Sequence, residues 1–225
     1  MRGFFSSMMG KKKDIYFDLP EELRGYNNFR ALHKNIAGTS IRVDGGNTYV
    51  TSYKCPISEK ILAQSLGTKQ PQKTNDGWLF DAIDDFLHCD DLGFVPAEGW
   101  IVANCFDTPN FTDYRSFYML RPSVGAYDSV FFGNLGSSNI FNVPSNMRMN
   151  NVPSTNFASL PTFKAMSGEH TGSYSDHVLY VGGTGGVGGV ASLNGVVKDI
   201  LFFSQTLTNS ERIALMNYLT SYHSL

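Results

Sequence analysis

Apolar and polar positions along this chain fall into many short runs separated by Gly, Pro, Asn and Ser. Strand-like segments recur at 40–43, 48–53, 99–106, 116–120, 129–132, 139–143, 147–149, 160–166, 177–181 and 196–203. Each is rich in β-branched and aromatic residues and too short for an ordinary helix, so the pattern predicts a meander of antiparallel strands. The period changes once, near the C-terminus, where Ile213, Leu215, Met216, Leu219 and Tyr222 lie on three- and four-residue steps. Thr208 followed by Glu211 is a capping box, in which hydroxyl and carboxylate each take a free amide of the first turn. A helix therefore starts there, with one apolar stripe that must be laid against the strands. A shorter helix is expected at 19–24, with Pro20 at its first position and Glu21 and Glu22 complementing the dipole. Residues 54–98 fit the meander poorly. Within them 58–67 and 78–89 read as helical or irregular, and the whole stretch is expected to be an insertion on the rim.

Composition changes this picture little. The 225 residues include 22 Gly, 17 Phe and 11 Tyr, with only 17% charged, a balance suited to one all-β domain with a large core. A net charge of -2 leaves no basic footprint for nucleic acid, and no run of about eighteen apolar residues is present to span a membrane. Cys55, Cys89 and Cys105 are odd in number and unrelated in spacing, so three buried thiols are expected rather than disulfides or a metal site.

The last strand and helix carry a recognisable pattern: Leu201 and Phe202, then Leu207, Thr208, Glu211 and Arg212, then Tyr218, Leu219 and Tyr222. This resembles the C-terminus of laminin-G-like, concanavalin A-like jelly-roll domains. Near the front, Ile41-Arg-Val-Asp-Gly-Gly-Asn-Thr-Tyr-Val50 is similar to the hairpin that opens such domains, with Asn47 or Thr48 where an Asp is usual. The resemblance spans about 40–223. It implies a two-sheet antiparallel jelly-roll sandwich at 40–225 with a short C-terminal amphipathic helix and a small, partly helical insertion at 54–98. Residues 1–39 are then an N-terminal arm and short helix outside the sandwich.

The arm has its own chemistry. Phe4, Phe5, Met8 and Met9 precede Lys11, Lys12 and Lys13, the reverse of the charge order in a secretory signal, so no signal peptide is read there. Exposed, those apolar side chains would be unfavourable in water; they and the lysine triplet are the expected anchor to another chain. A short apolar head and basic triplet ahead of such a domain resembles structural proteins of phages and prophages of gut bacteria.

Three stretches invite a chemical reading. Gly183-Thr-Gly-Gly-Val-Gly188 matches a dinucleotide fingerprint, but a strand rather than a helix follows, so a hairpin loop between the last two strands is expected and no cofactor. The acidic run Asp81, Asp84, Asp85, Asp90 and Asp91, with His88 and Cys89, lacks calcium-loop spacing. It reads as a solvated helix face over a stripe of Phe80, Ile83, Phe86 and Leu87, with no metal assigned; any cation would bind there. Jelly-roll glycosidases carry Glu-x-Asp-x-Glu on one strand; the nearest shadow here is Asp81, Ile83 and Asp85, and no Gly-x-Ser-x-Gly elbow exists, so no catalytic activity is expected. Glu169-His170 and Asp176-His177, in loop-like sequence, stand out among the histidines. Among aromatics near polar residues, Trp100 opens an apolar strand and belongs inside, leaving Trp78 and Tyr174 as ligand-binding candidates.

These readings converge on a non-catalytic structural or attachment protein of a bacteriophage virion. It would be fastened to other virion proteins or to further copies of itself through the arm, and would display a jelly roll to cell-surface glycans. The alternative is a bacterial carbohydrate-binding or adhesion module. The missing signal peptide favours the virion, which is assembled in the host cytoplasm, where unpaired cysteines are also at home.

Overall fold

A computed structural model describes residues 19–106, 116–122, 129–132, 145–154, 160–170, 177–183 and 192–225. The arm residues Phe4, Phe5, Met8, Met9 and Lys11 to Lys13, the aromatic candidate Tyr174, Asp176 and the expected strand 139–143 lie outside these residues.

After a one-turn helix α1 (Glu21–Arg24) come the strands β1 (Asn27–Leu32), β2 (Thr39–Asp44), β3 (Asn47–Lys54), β4 (Ile61–Ala63), β5 (Gln72–Lys73), β6 (Trp78–Asp81), β7 (Leu87–Cys89) and β8 (Glu98–Cys105). They are followed by β9 (Ser116–Pro122), β10 (Ser129–Phe132), β11 (Ser145–Met149), β12 (Val152–Pro153), β13 (Leu160–Glu169), β14 (His177–Val181), β15 (Asn194–Phe203) and the helix α2 (Asn209–His223). All pairings among them are antiparallel, in one open sheet ordered β10-β9-β14-β7-β4-β3-β5-β6-β15-β8-β13-β11-β12, with β1 added to β15 and β2 to β3. The protein is thus mostly β with a short C-terminal helix, as the apolar runs predict.

The structure corrects several expectations. The stretch 54–98 holds no α-helix: it supplies β4 to β7 as interior strands of the sheet, with one 3-10 turn at Gly67–Lys69. Its strands are only two to four residues long, too short for a period of two to show. Residues 27–32, placed with the arm, form β1, whose Phe29, Ala31 and Leu32 are buried. Pro20 sits one position before α1, as its N-cap. Beyond Gly183 the glycine run lies outside the described residues; of the strands on either side, β14 pairs with β7 and β9, and β15 with β1, β6 and β8.

The centre is β15. One edge pairs with β8 from Val197 to Phe203; the other is shared by β6 at Asn194–Val197 and β1 at Asp199–Phe203. Both faces of this centre are covered, which is why β8 is buried at eight consecutive positions. On one face Ile101, Ala103, Ile200 and Phe202 join the main core with Phe29, Tyr53, Trp78 and Phe80. The sheet curls enough for Tyr118 of β9 to meet Phe202 of β15 edge-on at 5.1 Å. On the other face Trp100, Val102, Leu201 and Phe203 meet Leu19, Leu23, Leu207, Leu215 and Leu219 under the two helices. Cys55, Cys89 and Cys105 are all buried.

Helix α2 is seated by that apolar strip and by two ionic clusters. The capping box forms as expected, Glu211 and Thr208 exchanging their bonds. The buried line is Arg212, Leu215, Leu219 and His223, whereas Ile213 of the expected stripe is exposed. Its ends are polar because the sheet beneath presents buried carboxylates. Arg212 donates to Glu98 at 2.8 Å and Glu169 at 2.6 Å, and Glu98 also accepts the Trp100 indole and the Leu207 amide. At the other end Asp199 of β15 accepts Arg30 at 3.1 and 2.6 Å and faces His223 Nε2 at 3.0 Å.

Candidate functional site: a groove across β2, β3, β5 and β6

Asp44-Gly45-Gly46-Asn47 turns β2 into β3, with Gly45 and Gly46 at φ +56° and +84°, a left-handed pair that only glycine adopts without strain. A two-residue turn fixes the register of the whole hairpin, so Asp44 faces Asn47 and Arg42 faces Tyr49. Tyr49 in turn pairs with Gln72 of β5, and Gln72 with Leu79 of β6. Residues directly opposite in antiparallel strands share a face. Arg42, Tyr49, Gln72 and Leu79 are therefore one row across four strands, the floor of a groove of about 870 Å³. Leu66, Gly67, Thr68 and Gln70 form one wall; Asp81, Asp85 and Asn194 form the other.

Arg42 is fixed in place. Its Nε donates to Gln70 Oε1 at 2.9 Å, Nη1 to Asp44 Oδ2 at 2.7 Å and Nη2 to the Gly67 carbonyl at 2.9 Å, with the guanidinium 4.7 Å from the Tyr49 ring centroid. Gln70 is held by the Gln64 carbonyl at 2.7 Å, and Gln72 donates to Asn47 at 3.2 Å. The rigid floor presents an aromatic ring and an aliphatic side chain between amide groups.

The acidic wall is a turn rather than the expected helix. After β6, Ala82 takes φ +70°, Asp81 Oδ1 accepts the amides of Ile83 and Asp84, and Asp85 Oδ2 accepts the amide of Asp81 at 3.1 Å. Phe80 and Leu87 are buried as predicted, but Ile83 is 75% exposed because the turn points it outward. Oxygens of Asp81, Asp84 and Asp85 all lie within 4.8 Å of one another. Lys69 reaches Asp84 at 3.6 Å. Asp85 is buried, and burial together with the charges of Asp81 and Asp84 pushes its carboxyl up to about 7.

Of the aromatic candidates, Trp78 is corrected. It is fully buried, with its ring 5.3 Å from Tyr53. It sits next to Leu79 on β6, and adjacent strand residues point to opposite faces, so the neighbour of a groove residue is a core residue. His170 lies against Tyr118, its Nε2 3.0 Å from the phenol oxygen, and Glu169 is taken by Arg212 and Asn146; neither lines the groove. Tyr49 was not singled out by sequence. The signal was there, since the Gly-Gly turn already pairs it with Arg42.

A scan against protein-family models finds no match, and searches of curated proteins and of solved structures find none either.

Proposed function

We propose that the protein is a non-catalytic attachment protein of a bacteriophage particle, in which a jelly-roll, concanavalin A-like domain holds a cell-surface glycan in the groove over Tyr49. The observation that carries the binding half is the row Arg42, Tyr49, Gln72 and Leu79. A pyranose has apolar C–H faces and a polar rim, which suits a ring and an aliphatic side chain flanked by fixed amides and carboxylates. The curl that brings β9 over β15 supports the sandwich architecture. The non-catalytic half is supported by the engagement of the carboxylates themselves. Asp81 and Asp85 hold turn amides, and the Glu-x-Asp-x-Glu arrangement of jelly-roll glycosidases is missing from the sequence.

The virion half rests on the sequence: the apolar and basic N-terminal segment ahead of a laminin-G-like pattern. It makes other virion proteins or further copies of this chain the partners of Phe4, Phe5, Met8, Met9 and Lys11 to Lys13. Among the described residues no helix is long and apolar enough to cross a membrane. Mass spectrometry of purified particles, paired with glycan binding by the wild type and Tyr49→Ala, tests both halves. The expected result is a particle protein whose glycan binding falls at least tenfold on loss of the ring. Recovery only from a bacterial envelope fraction would favour the adhesion module instead, and hydrolysis of a polysaccharide would overturn the non-catalytic reading.

A further inference from the structure

The charge on the groove lining is one-sided, with Asp44, Asp81 and Asp85 against Arg42. Arg42 is the cation on its lining, and three of its five guanidinium N–H groups donate within the protein, to Gln70, Asp44 and the Gly67 carbonyl. Lys69, beside the wall, is drawn to Asp84. Gln70 accepts from Arg42 and donates to Gln64, and Gln72 spends its amide nitrogen on Asn47 and keeps its oxygen. Two carboxylates each keep a second oxygen to offer: Asp44 uses Oδ2 on Arg42, and Asp81 uses Oδ1 on two turn amides. A ligand in this groove meets three acidic side chains against one guanidinium, and that guanidinium is already paired with Asp44.

We infer that the groove selects a hydrogen-bond-donating glycan without acidic groups, and favours one bearing protonated amines. This inference rests on the glycan-binding reading above and names the chemistry of that ligand. Hydroxyl and ammonium groups donate to the free oxygens of Asp44, Asp81 and Gln72. A uronate or sulfate would bring an anion against Asp44 and Asp81, where acidic side chains outnumber the one guanidinium, the repulsive half of specificity.

Calorimetric titration of the full chain with tetramers of glucosamine, N-acetylglucosamine and galacturonate tests it. The expected order is glucosamine tightest, the neutral N-acetylated tetramer about tenfold weaker, and galacturonate without measurable binding. Asp44→Asn, which removes a carboxylate that is 70% exposed and bonded only to Arg42, narrows the gap between the first two tetramers, and Asp81→Asn does the same. Asp90→Asn, at a 90% exposed position beside His88 and off the groove lining, leaves the order unchanged, and Tyr49→Ala weakens both tetramers. Circular dichroism melts establish that each variant is folded. Binding of galacturonate as tight as that of the neutral tetramer, or an effect of Asp90→Asn equal to that of Asp44→Asn, overturns the selectivity while leaving the glycan reading standing. No binding of any tetramer by the wild type overturns both.

Discussion

Asp199 and Asp85 are both buried aspartates, and their surroundings drive them in opposite directions. Burial alone would raise either carboxyl, because it penalises the charged form. At Asp199 that penalty is outweighed by Arg30, which grips both oxygens, and by His223, so the group is held below the usual carboxylate range. At Asp85 no cation among the described residues answers; an amide does, and Asp81 and Asp84 add like charge to the effect of burial, so the carboxyl is raised to about 7. The compensated aspartate lies under α2, where the protein is closed. The uncompensated one lines the groove. Fully matched charge marks the part of the fold that only has to hold, and unmatched charge the part left for something else to meet.

Breaking the matched pair gives the largest effect. Arg30→Met leaves Asp199 buried without its main partner and is expected to cost about 3 to 5 kcal/mol in chemical denaturation, with the further change Asp199→Asn recovering a good part of that loss. A loss below about 1 kcal/mol would show that water reaches Asp199 and that the contrast with Asp85 is overdrawn.

An intermediate effect lies in pH. Asp85 has a folded pKa above its unfolded one, so the native state holds the extra proton and stability falls as pH climbs from about 4 through about 7. Asp199, shifted downward, contributes stability that is present above its unfolded pKa and lost as pH falls through its lowered folded value. Melting temperature against pH should therefore decline on both sides, and Asp85→Asn should remove the decline on the neutral side alone. An unchanged neutral limb in that variant would place the titrating group elsewhere.

The smallest effect sharpens the cause. Asp84 is the weaker of the two charges acting on Asp85, so Asp84→Asn should lower the Asp85 midpoint slightly, followed by carboxyl chemical shift in an NMR titration. A drop as large as that from Asp81→Asn would mean that the two like charges act equally.

How far the chain could be read in advance follows the length of its elements. The strand at 196–203 was legible as a short run rich in β-branched and aromatic residues, and the helix after Thr208 by its three- and four-residue steps and a cap that is a local exchange of bonds. The strands of 54–98 were not, since β5 has two residues and β7 three, and Ala82 at positive φ brings acids together by turning the chain rather than by helical spacing. Trp78 was misread for a related reason: the polar residues around it in sequence belong to a turn, whereas its own side chain takes the core face of β6. The buried Arg212 and His223 on α2 run against the apolar stripe expected there, because their partners are buried carboxylates, Glu98 on a strand 114 positions away and Asp199 on β15. The groove floor was half legible, as the Gly-Gly turn sets Arg42 opposite Tyr49, but Gln72 and Leu79 join that row only through long-range pairing.

The place of β15 in the sheet also has a consequence for the birth of the molecule on the ribosome. Arg30 and Asp199 are 169 positions apart, and β1, β6 and β8 all wait for the same late strand before their edges are closed. At 5 to 20 residues per second the first strand emerges roughly 10 to 30 s before its partner, with Phe29 and Leu32 still uncovered. Acquisition of the native state must therefore wait for β15, slow in the manner of non-local β topologies, and dependent throughout that interval on whatever shields those apolar residues from neighbouring nascent chains.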